Sequence, residues 1–368
     1  MEFRLGELFS GPGGLAIGAL QASINNCNEN YYIKHAWAND IDIDSCNTYK
    51  LNICPENSNS VICEDVRQLD ISKLGDIDCF AYGFPCNDFS IVGKQKGFHG
   101  NYGPLYTYGI NIINKFNPKF FIAENVGGLA SANGGKAFER ILSELGQSGN
   151  GYNITANLYK SEEYGIPQMR HRIIIVGIRK DEKLFFKVPQ PTHKNNPITS
   201  GEALLNPPIP INAPNNEITN QSSLVEQRLR HIKPGENVWN ANLPEHLKLN
   251  VKKAKMSQIY KRLDPNKPSY TITGSGGGGT HGYHWLEPRA LTNRERARIQ
   301  TFPDNFIFTG SKEQVRKQIG MAVPPLLAKV IFSHILMTFA GISYPSISPN
   351  ISEAEEPSLF DNLIKECV

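Results

Sequence analysis

The sequence predicts an α/β protein with a doubly wound sheet in its first half and a smaller, loop-rich domain after it. Three observations support this prediction. The first 180 residues alternate short apolar runs with Gly or Asp turns and helical stretches, which is typical of a parallel sheet. From about residue 187 to residue 268, Pro-rich and Asn-rich pieces replace this periodicity. The length of 368 residues exceeds that of one ordinary core.

Apolar runs bounded by turn residues predict the strands, and helical periodicity predicts the helices. The strands are expected at 3–9, 33–39, 79–82, 120–123 and 173–178. The helices are expected at 14–22, 135–145, 292–300 and 326–341. The Ile and Val run at 173–178 is typical of a strand that is buried on both faces.

Composition excludes several classes of protein. Lys and Arg number 38 against 35 acidic residues, and the resulting net charge of +3 argues against charge-driven disorder. The first residues include Glu2, Arg4 and Glu7 without an apolar run, so no signal peptide is predicted. Lys329 and His334 interrupt the longest apolar stretch, which argues against a membrane span. We therefore expect a cytoplasmic protein.

The seven cysteines form no Cys-x-x-Cys pair, so neither a disulfide framework nor a metal site is predicted. Cys86 differs from the others because it follows a strand end and a proline turn, Tyr82-Gly83-Phe84-Pro85. A cysteine in such a loop can have a lowered pKa, and the thiolate is its reactive form. The alternative is a buried, inert cysteine.

A glycine-rich turn follows the first predicted strand, at Phe9-Ser10-Gly11-Pro12-Gly13-Gly14, and Asp40 follows the second strand. Glycines let a ligand approach the backbone, a helix N-terminus favours polar or anionic groups, and an acid after strand two can hold ribose hydroxyls. Asp65 follows a further short strand and could accept a hydrogen bond from an adenine amine. A nicotinamide dehydrogenase and a set of ordinary turns are alternatives.

Two more motifs lie at strand ends. Glu124 and Asn125 follow the run at 120–123, where open α/β sheets bind ligands, and Glu124 could act as an acid if a dry site raised its pKa. Arg170 and Arg172 alternate on a strand-like segment, so both could point to one side and bind a ring oxygen, phosphate or carboxylate together. Taken singly, a surface arginine pair and a satisfied strand-end acid are the simpler interpretations.

The order of these motifs strongly resembles that of the DNA cytosine-5 methyltransferases. The matching elements are Phe-x-Gly-x-Gly-Gly, Pro-Cys, Glu-Asn-Val, Gln-x-Arg-x-Arg, the segment 289–303 and the segment 318–324. An ordered set of this kind outweighs a lone dinucleotide fingerprint. Two positions depart from the family pattern: Asn87 stands where many members have Gln, and Met321 stands where Asn is common.

The resemblance implies the Rossmann-like fold of S-adenosylmethionine-dependent methyltransferases. It also implies a domain organisation. The expected parts are a catalytic domain at 1–186, a target-recognition domain at 187–288, a helical return to the catalytic domain at 289–344 and a polar, flexible tail at 345–368.

The resemblance further implies roles for individual residues. S-adenosylmethionine, leaving as S-adenosylhomocysteine, would bind Phe9, Ser10, Gly11, Gly13, Gly14, Leu15, Asp40, Ile41, Asp65, Val66, Gly83, Pro85, Ala322 and Val323. Cys86 would add to C6 of a flipped-out cytosine, with Glu124 at N3 and Arg172, alongside Arg170, at the O2 side. DNA would contact Ser90, Lys94, Lys96, Gly276, Gly277, Gly278, Gly279 and His281.

The implied partner is duplex DNA, methylated at C5 of one cytosine in a short specific sequence, as in bacterial restriction-modification systems. We expect a monomer in the bacterial cytosol, without metal or membrane, and a cognate restriction endonuclease would act on the same site without direct contact. Two alternatives stay open at this point. One is an RNA (tRNA) cytosine-5 methyltransferase, because residues 187–288 do not exclude it, and the other is a catalytically silent DNA-binding regulator.

Overall fold

The computed structural model describes residues 1–84, 105–130, 135–250, 256–274 and 279–351. The chain divides into two compact units. Unit one comprises Met1–Lys160, His171–Pro191 and Leu327–Val368, and unit two comprises Ser161–Arg170 and Thr192–Leu326.

The strands are close to those that the sequence predicts, with several short additions. In chain order they are β1 (Glu2–Leu8), β2 (Ser23–Asn26), β3 (Glu29–Asp40), β4 (Val61–Cys63), β5 (Cys79–Gly83), β6 (Phe120–Val126), β7 (Tyr152–Lys160), β8 (Gln168–Met169), β9 (His171–Arg179), β10 (Val188–Pro189), β11 (Ser269–Tyr270) and β12 (Ser346–Ile347). The helices are α1 (Gly14–Leu20), α2 (Ile43–Ile53), α3 (Tyr106–Phe116), α4 (Lys136–Gln147), α5 (Ser200–Leu205), α6 (Ser223–His231), α7 (Asn293–Ile299), α8 (Lys312–Met321) and α9 (Pro325–Phe339).

Unit one is built on a mixed sheet in the order β2-β3-β1-β5-β6-β9-β7, with β4 also paired to β3. Strands β1, β3, β4, β5 and β6 run parallel, so the α/β prediction is confirmed. The strand expected at 173–178 instead runs antiparallel to both β6 and β7. The reason is the connection from β7 to β9, which is only ten residues long and carries no α-helix, whereas a parallel crossover needs a dozen or more residues.

The core of unit one lies between the sheet and helices α3 and α4. Phe80 and Phe121 of the central strands pack with Ile113 of α3 and with Ile141 and Leu145 of α4, and all five side chains are fully buried. The two strands contribute continuous buried runs, which is the pattern of a sheet covered on both faces. This rigid centre fixes the strand ends from which the candidate site is built.

The tail expected from residue 345 does not begin there. Strand β12 pairs with β10, and the Asn350 side chain exchanges hydrogen bonds of 2.8 and 3.0 Å with the backbone of Leu158. The backbone N–H of Asn350 also donates to the Asn157 side chain at 2.9 Å, and Ile351 is buried in the core. Residues 345–351 therefore belong to unit one because they complete the β7 edge.

Unit two has its own small core, and helix α7 of this unit carries the buried Arg294 and Arg296. Leu229, Leu247, Tyr260 and Tyr283 form the core cluster with their neighbours. Helix α7 begins with a capping box in which Thr292 and Glu295 bind each other's backbone N–H groups. The segment 289–344, which the sequence predicts to rejoin the catalytic domain, is split between the two units. Its residues up to Leu326 belong to unit two, and those from Leu327 belong to unit one.

One stretch, Lys312–Phe339, is long and apolar enough to cross a membrane by length and composition. Its most apolar 18-residue window is 67% buried inside the structure, and the stretch contains α8 and α9 with Ala322–Pro324 between them. This segment is consequently a buried core element.

The buried Arg294 side chain supports the loops around α7. Its guanidinium donates to the carbonyl oxygens of Pro214, Pro303 and Phe306 at 2.8, 2.8 and 2.5 Å, and burial lowers its pKa to about 10. We predict that Arg294→Ala lowers the free energy of unfolding by about 3 kcal/mol, because three carbonyl oxygens, which are buried or part-buried, lose their donor. Urea denaturation measures this, with the exposed Arg230→Ala as matched control. Equal midpoints for the two variants would contradict the prediction.

Candidate active site

The candidate site lies at the carboxyl edge of the parallel strands. Because β1, β3, β4, β5 and β6 are parallel, their C-terminal ends meet at one edge of the sheet, where open α/β folds bind ligands. The glycine-rich turn, Asp40, Asp65, Gly83 and Glu124 follow or end these strands. The fold thus brings together, within unit one, residues that are far apart in the sequence.

The glycine-rich turn has the tight geometry that its sequence requires. Phe9, Gly11 and Gly13 have φ values of 53°, 52° and 96°, in the left-handed region. A Cβ atom on Gly13 would lie 2.9 Å from Cγ1 of Ile53, so only glycine fits against α2 at this position. The turn therefore leads from β1 into α1 with an open backbone.

Asp40 fixes this turn to the next strand. Its carboxylate accepts hydrogen bonds from the backbone N–H of Gly11 at 2.7 Å and of Asp42 at 2.9 Å. Burial raises the pKa of Asp40, while these backbone donors oppose the shift. Next to it, the apolar Ile41 side chain is 66% exposed, so an aliphatic surface borders the carboxylate.

Asp65 and Val66 differ in their surroundings. The Asp65 carboxylate is bound by the guanidinium of Arg67, which lowers the pKa of that carboxyl. Val66 is buried in the core of unit one, so it packs behind the site and does not line an open surface.

Two buried polar atoms at the glycine-rich turn lack a partner among the described residues. They are Oγ of Ser10 and Oε1 of Glu7. Buried polar atoms ordinarily have hydrogen-bond partners, so these two suit a polar ligand at the turn. These two polar atoms, the Asp40 carboxylate and the exposed Ile41 side chain suit a ligand that joins a nucleoside to an amino acid. S-adenosylmethionine is a ligand of this kind.

Glu7 is not among the predicted site residues, although only Leu8 separates it from the turn in the sequence. It is 1% exposed, and burial raises its pKa to about 8. Its Oε2 accepts a 3.0 Å hydrogen bond from the Tyr49 hydroxyl, which also contacts Nδ1 of His35 at 3.1 Å. Burial lowers the pKa of His35 to about 4, so this imidazole is neutral at pH 7. The signal that could have identified Glu7 is an acid beside Leu8, at the end of the strand that leads into the glycine-rich turn.

A carboxylate and a guanidinium meet at the end of β6. Nε of Arg172 lies 3.0 Å from Oε1 of Glu124, and both side chains are 13% exposed. The antiparallel pairing of β6 with β9 brings Arg172 opposite Val126, two residues from Glu124. Gly83 lies beside them, and a Cβ atom on it would be 3.1 Å from Oε2 of Glu124. A paired acid and arginine can bind adjacent acceptor and donor atoms of one ligand ring.

Asn125 holds the strand that leads to Cys86. Its Nδ2 donates to the carbonyl oxygen of Phe84 at 3.0 Å, and Asn125 is 2% exposed. The sequence indicates no role for this residue beyond its place in the Glu-Asn-Val motif. The structure indicates that it positions the end of β5.

Several predicted site residues lie outside the described residues. These are Pro85, Cys86, Ser90, Lys94, Lys96, Gly276, Gly277 and Gly278. Their predicted roles stay predictions.

Arg170 and Arg172 have different surroundings, contrary to the expectation that they act together. Arg170 belongs to unit two, is 2% exposed, and donates to the carbonyl oxygens of Ile272 at 3.1 Å and Ala322 at 3.0 Å. Gln300 donates to the same Ala322 oxygen at 2.6 Å. These bonds give Arg170 a structural role in holding the segment that contains Ala322 and the buried Val323.

Gly279 and His281, predicted to contact DNA, are packed within unit two. Gly279 has a φ of 99°, and a Cβ atom there would lie 3.2 Å from the Tyr260 ring. Nδ1 of His281 contacts the Arg316 guanidinium at 3.2 Å, and burial lowers the pKa of His281. Close packing therefore explains the glycine, independently of any DNA contact.

Fold and site together define a Rossmann-like methyltransferase: a mixed sheet with a parallel centre, a glycine-rich turn after β1, an acid at the end of β3 and an acid–arginine pair at the end of β6. Residues 3–337 match the family described as C-5 cytosine-specific DNA methylase, and the chain belongs to this family. It is accordingly a DNA (cytosine-5-)-methyltransferase, the first of the functions that the sequence predicts.

Named relatives agree with this assignment. The Type II methyltransferase M.BbvI of Brevibacillus brevis is 61% identical over 355 residues, which cover 95% of this chain and 94% of the relative. The Type II methyltransferase M.NgoFVII of Neisseria gonorrhoeae is 41% identical over 364 residues, covering 96% and 91%. The solved structure of the methyltransferase EhMeth of Entamoeba histolytica superimposes with a TM-score of 0.62 at 16% identity, covering 92% of this chain and 98% of that one. This structure supports the fold alone.

The buried Glu7 makes stability depend on pH in a defined direction. Between pH 4.5 and about 8, Glu7 is protonated in the folded state and ionised in the unfolded state, so stability is lost as the pH rises through this window. We predict that Glu7→Gln removes a contribution of about 1.4 kcal/mol per pH unit. Urea denaturation at pH 5.5 and 7.5 measures it, with the exposed Glu56→Gln as control. Parallel pH profiles for wild type and Glu7→Gln would refute it.

Proposed function

We propose that this protein methylates its target cytosine, within a short duplex DNA sequence, through a covalent bond between Cys86 and C6 of a base flipped out of the helix. The observation that carries the proposal is the Glu124–Arg172 pair, which stands beside the end of β5. Cys86 follows Phe84 by two residues, which limits their Cα separation to about 7 Å. Asn125 holds the Phe84 carbonyl, which supports a nucleophile within reach of this pair.

Addition of a thiolate to C6 places negative charge on the cytosine ring, mainly toward N3 and O2. Glu124 in its protonated form would donate a hydrogen bond or a proton at N3, and Arg172 would bind O2. Both groups are already held 3.0 Å apart, so little reorganisation accompanies the reaction. Flipping is needed because stacking otherwise shields the ring.

The chain's own residues also provide a place for the methyl donor. The backbone of the glycine-rich turn, Ser10 and Glu7 would hold the amino-acid portion, and Asp40 with Ile41 would hold the ribose and adenine. When bound, S-adenosylmethionine supplies an electrophilic methyl group at the C5 side of the ring. Transfer of the C5 proton to water then expels Cys86 as the thiolate, and N3 returns its proton to Glu124, which restores the neutral aromatic ring.

Asp65 would accept a hydrogen bond from the adenine amine. To do so, one of its oxygens would give up its present hydrogen bond with Arg67. Because Asp65 is bound through both of its oxygens to Arg67, the guanidinium keeps it ionised and oriented. Gly83, Ala322 and Val323 stay as proposed cofactor contacts.

The proposal places the enzyme in the bacterial cytosol, acting as a monomer on DNA without a metal ion. Its relatives are named Type II methyltransferases, which supports a restriction-modification role. A cognate endonuclease would meet the same DNA sequence without contacting this protein.

The experiment that tests the covalent step begins with the target sequence. Bisulfite sequencing of DNA from an expressing host gives the methylated motif, and a duplex is then made with 5-fluorocytosine at that position. Fluorine at C5 blocks the final elimination, so wild type with S-adenosylmethionine should form an adduct that survives denaturing electrophoresis. Cys86→Ala should form none, whereas Cys63→Ala, the same change at an exposed cysteine, should behave as wild type.

Absence of an adduct with the wild-type enzyme would refute the covalent mechanism, although not C5 methylation itself. An adduct that persists in Cys86→Ala would show that another residue is the nucleophile.

The Glu124–Arg172 contact yields a separate prediction. Arg172→Lys keeps the positive charge but loses the planar fork, so we expect kcat to fall about 100-fold. Binding of S-adenosylmethionine should change less than threefold, because Arg172 is not among the proposed donor contacts. Single-turnover methyl transfer and titration calorimetry measure the two quantities. Arg4→Lys, in the exposed ion pair with Asp78, is the matched control, and a similar kcat for both variants would disprove the role.

A further inference from the structure

Two cysteine side chains lie next to each other in unit one, outside the catalytic chemistry proposed above. Cys63 is the last residue of β4 and is exposed, whereas Cys46 lies in the first turn of α2 and is fully buried. Their side chains hydrogen-bond one another, and both are free thiols. The Cys46–Cys63 pair is therefore a dithiol in which solvent reaches one sulfur atom and not the other.

The backbone at the end of β3 holds both thiols. The Cys46 thiol donates to the carbonyl oxygen of Asp40 at 3.5 Å, and the Cys63 thiol donates to that of Ile41 at 3.9 Å. Asp40 is also the register partner of Cys63 in the pairing of β3 with β4. The same Asp40 oxygen accepts a hydrogen bond of 3.0 Å from the backbone N–H of Glu64. These contacts place the pair at the corner where β3, β4 and α2 meet.

This corner adjoins the residues proposed to hold the methyl donor, so the inference rests on that proposed function. Asp40 and Ile41 carry the side chains assigned to the ribose and the adenine. The backbone N–H of Cys46 donates to the carbonyl oxygen of Asp42 at 2.9 Å, and the N–H of Asp42 donates to the Asp40 carboxylate at 2.9 Å. A displacement of Cys46 is therefore passed to that carboxylate through two hydrogen bonds.

Thiol–disulfide exchange with a small-molecule disulfide, RSSR, would join the pair in two steps. The exposed Cys63 attacks as a thiolate, forms a mixed disulfide and releases RS⁻. Cys46 then loses its proton, attacks the sulfur atom of Cys63 and expels the second RS⁻. The two cysteine protons pass to the two RS⁻ ions, so the protein is oxidised by two electrons and RSSR is reduced to two RSH. Burial raises the pKa of Cys46, so the second step is the slow one.

A disulfide at this corner would alter the backbone around Asp40. Its sulfur atoms are about 2.05 Å apart, closer than in any hydrogen bond, so α2 and β4 must shift toward each other. It also carries no S–H group, so the carbonyl oxygens of Asp40 and Ile41 both lose a donor. Both changes act on the residues that present the proposed ribose and adenine contacts.

We propose that Cys46 and Cys63 form a redox-sensitive dithiol, which small-molecule disulfides oxidise and which lowers the affinity for S-adenosylmethionine when it is oxidised. Where cytosolic proteins form a disulfide, it is usually a catalytic or redox-sensing one. The exposed member of the pair gives the oxidant access, and the buried member carries the change to the Asp40 carboxylate.

Mass spectrometry and titration calorimetry test this on the full chain carrying Cys86→Ala, which removes the proposed nucleophile from the reaction. After overnight incubation with oxidised glutathione, the peptides that contain Cys46 and Cys63 should be linked and lighter by about 2 Da. Fragmentation between Cys54 and Cys63 assigns the link. The Kd for S-adenosylmethionine should rise about tenfold, and dithiothreitol should reverse the rise.

Matched variants separate the pair from the other thiols. Cys63→Ala should lose both the link and the rise in Kd, whereas Cys27→Ala, at another exposed cysteine, should keep both. The absence of a link after incubation would overturn the proposal. A linked pair with an unchanged Kd would overturn it too, as would a rise in Kd that persists in Cys63→Ala.

Failure of the proposed donor site gives a different result. In the reduced protein, Asp40→Asn should weaken donor binding at least tenfold, because the proposed ribose contact loses its charge. A Kd that Asp40→Asn leaves unchanged would refute the proposed donor site. A Kd that depends on Asp40 but does not respond to the Cys46–Cys63 link would leave that site intact and overturn only the redox inference.

Discussion

The antiparallel pairing of β6 with β9 is the constraint on which the chemistry of this protein depends. Strand β6 is the last parallel strand of the sheet, and it ends at the shared carboxyl edge with Glu124 and Asn125. Strand β9 enters from the opposite direction, so its first residues, including Arg172, lie beside the last residues of β6. A parallel β9 would put Arg172 at the far end of the sheet. Reversal of one strand thus supplies an arginine to an acid that is 48 positions away in the sequence.

The same edge shows how buried polar groups are arranged around a backbone turn. Asp40 accepts from the N–H groups of Gly11 and Asp42, so the turn and the start of α2 are fixed by one carboxylate. Glu7, near the end of β1, accepts a hydrogen bond from the Tyr49 hydroxyl, which in turn contacts His35. The glycine-rich turn therefore rests on a chain of side-chain hydrogen bonds rather than on apolar packing alone, and such networks favour a single conformation.

Much of the fold and part of the site could be predicted from the sequence. Strands β1, β5, β6 and β9 are apolar runs with turn residues at their ends, and each was located within a few residues. The sequence analysis does not predict helices α2 and α3. For α2 the reason is that it contains many polar residues and only part of its surface is buried. The direction of β9 was not predictable from its composition, because an Ile and Val run suits either orientation in a buried sheet.

The two arginines of the Gln-x-Arg-x-Arg motif show the same limit at the level of side chains. Alternation placed both on one side of a strand, but β8 ends at Met169 and β9 begins at His171, so Arg170 lies at a break between them. One guanidinium binds backbone carbonyls and the other binds Glu124. Spacing alone does not reveal such a break, and neither does it reveal the buried Glu7 and its hydrogen bond with Tyr49.

The clamp formed by Asn350 has a consequence for biosynthesis. Unit one is assembled from three separate stretches of chain, and the last of them includes Ile351 in the core. Until Asn350 has emerged from the ribosome, the backbone groups of Leu158 at the β7 edge lack these partners and are open to other chains. A nascent chain that stalls near residue 345 would therefore carry a strand edge without this clamp, and such an edge can pair with other chains and aggregate.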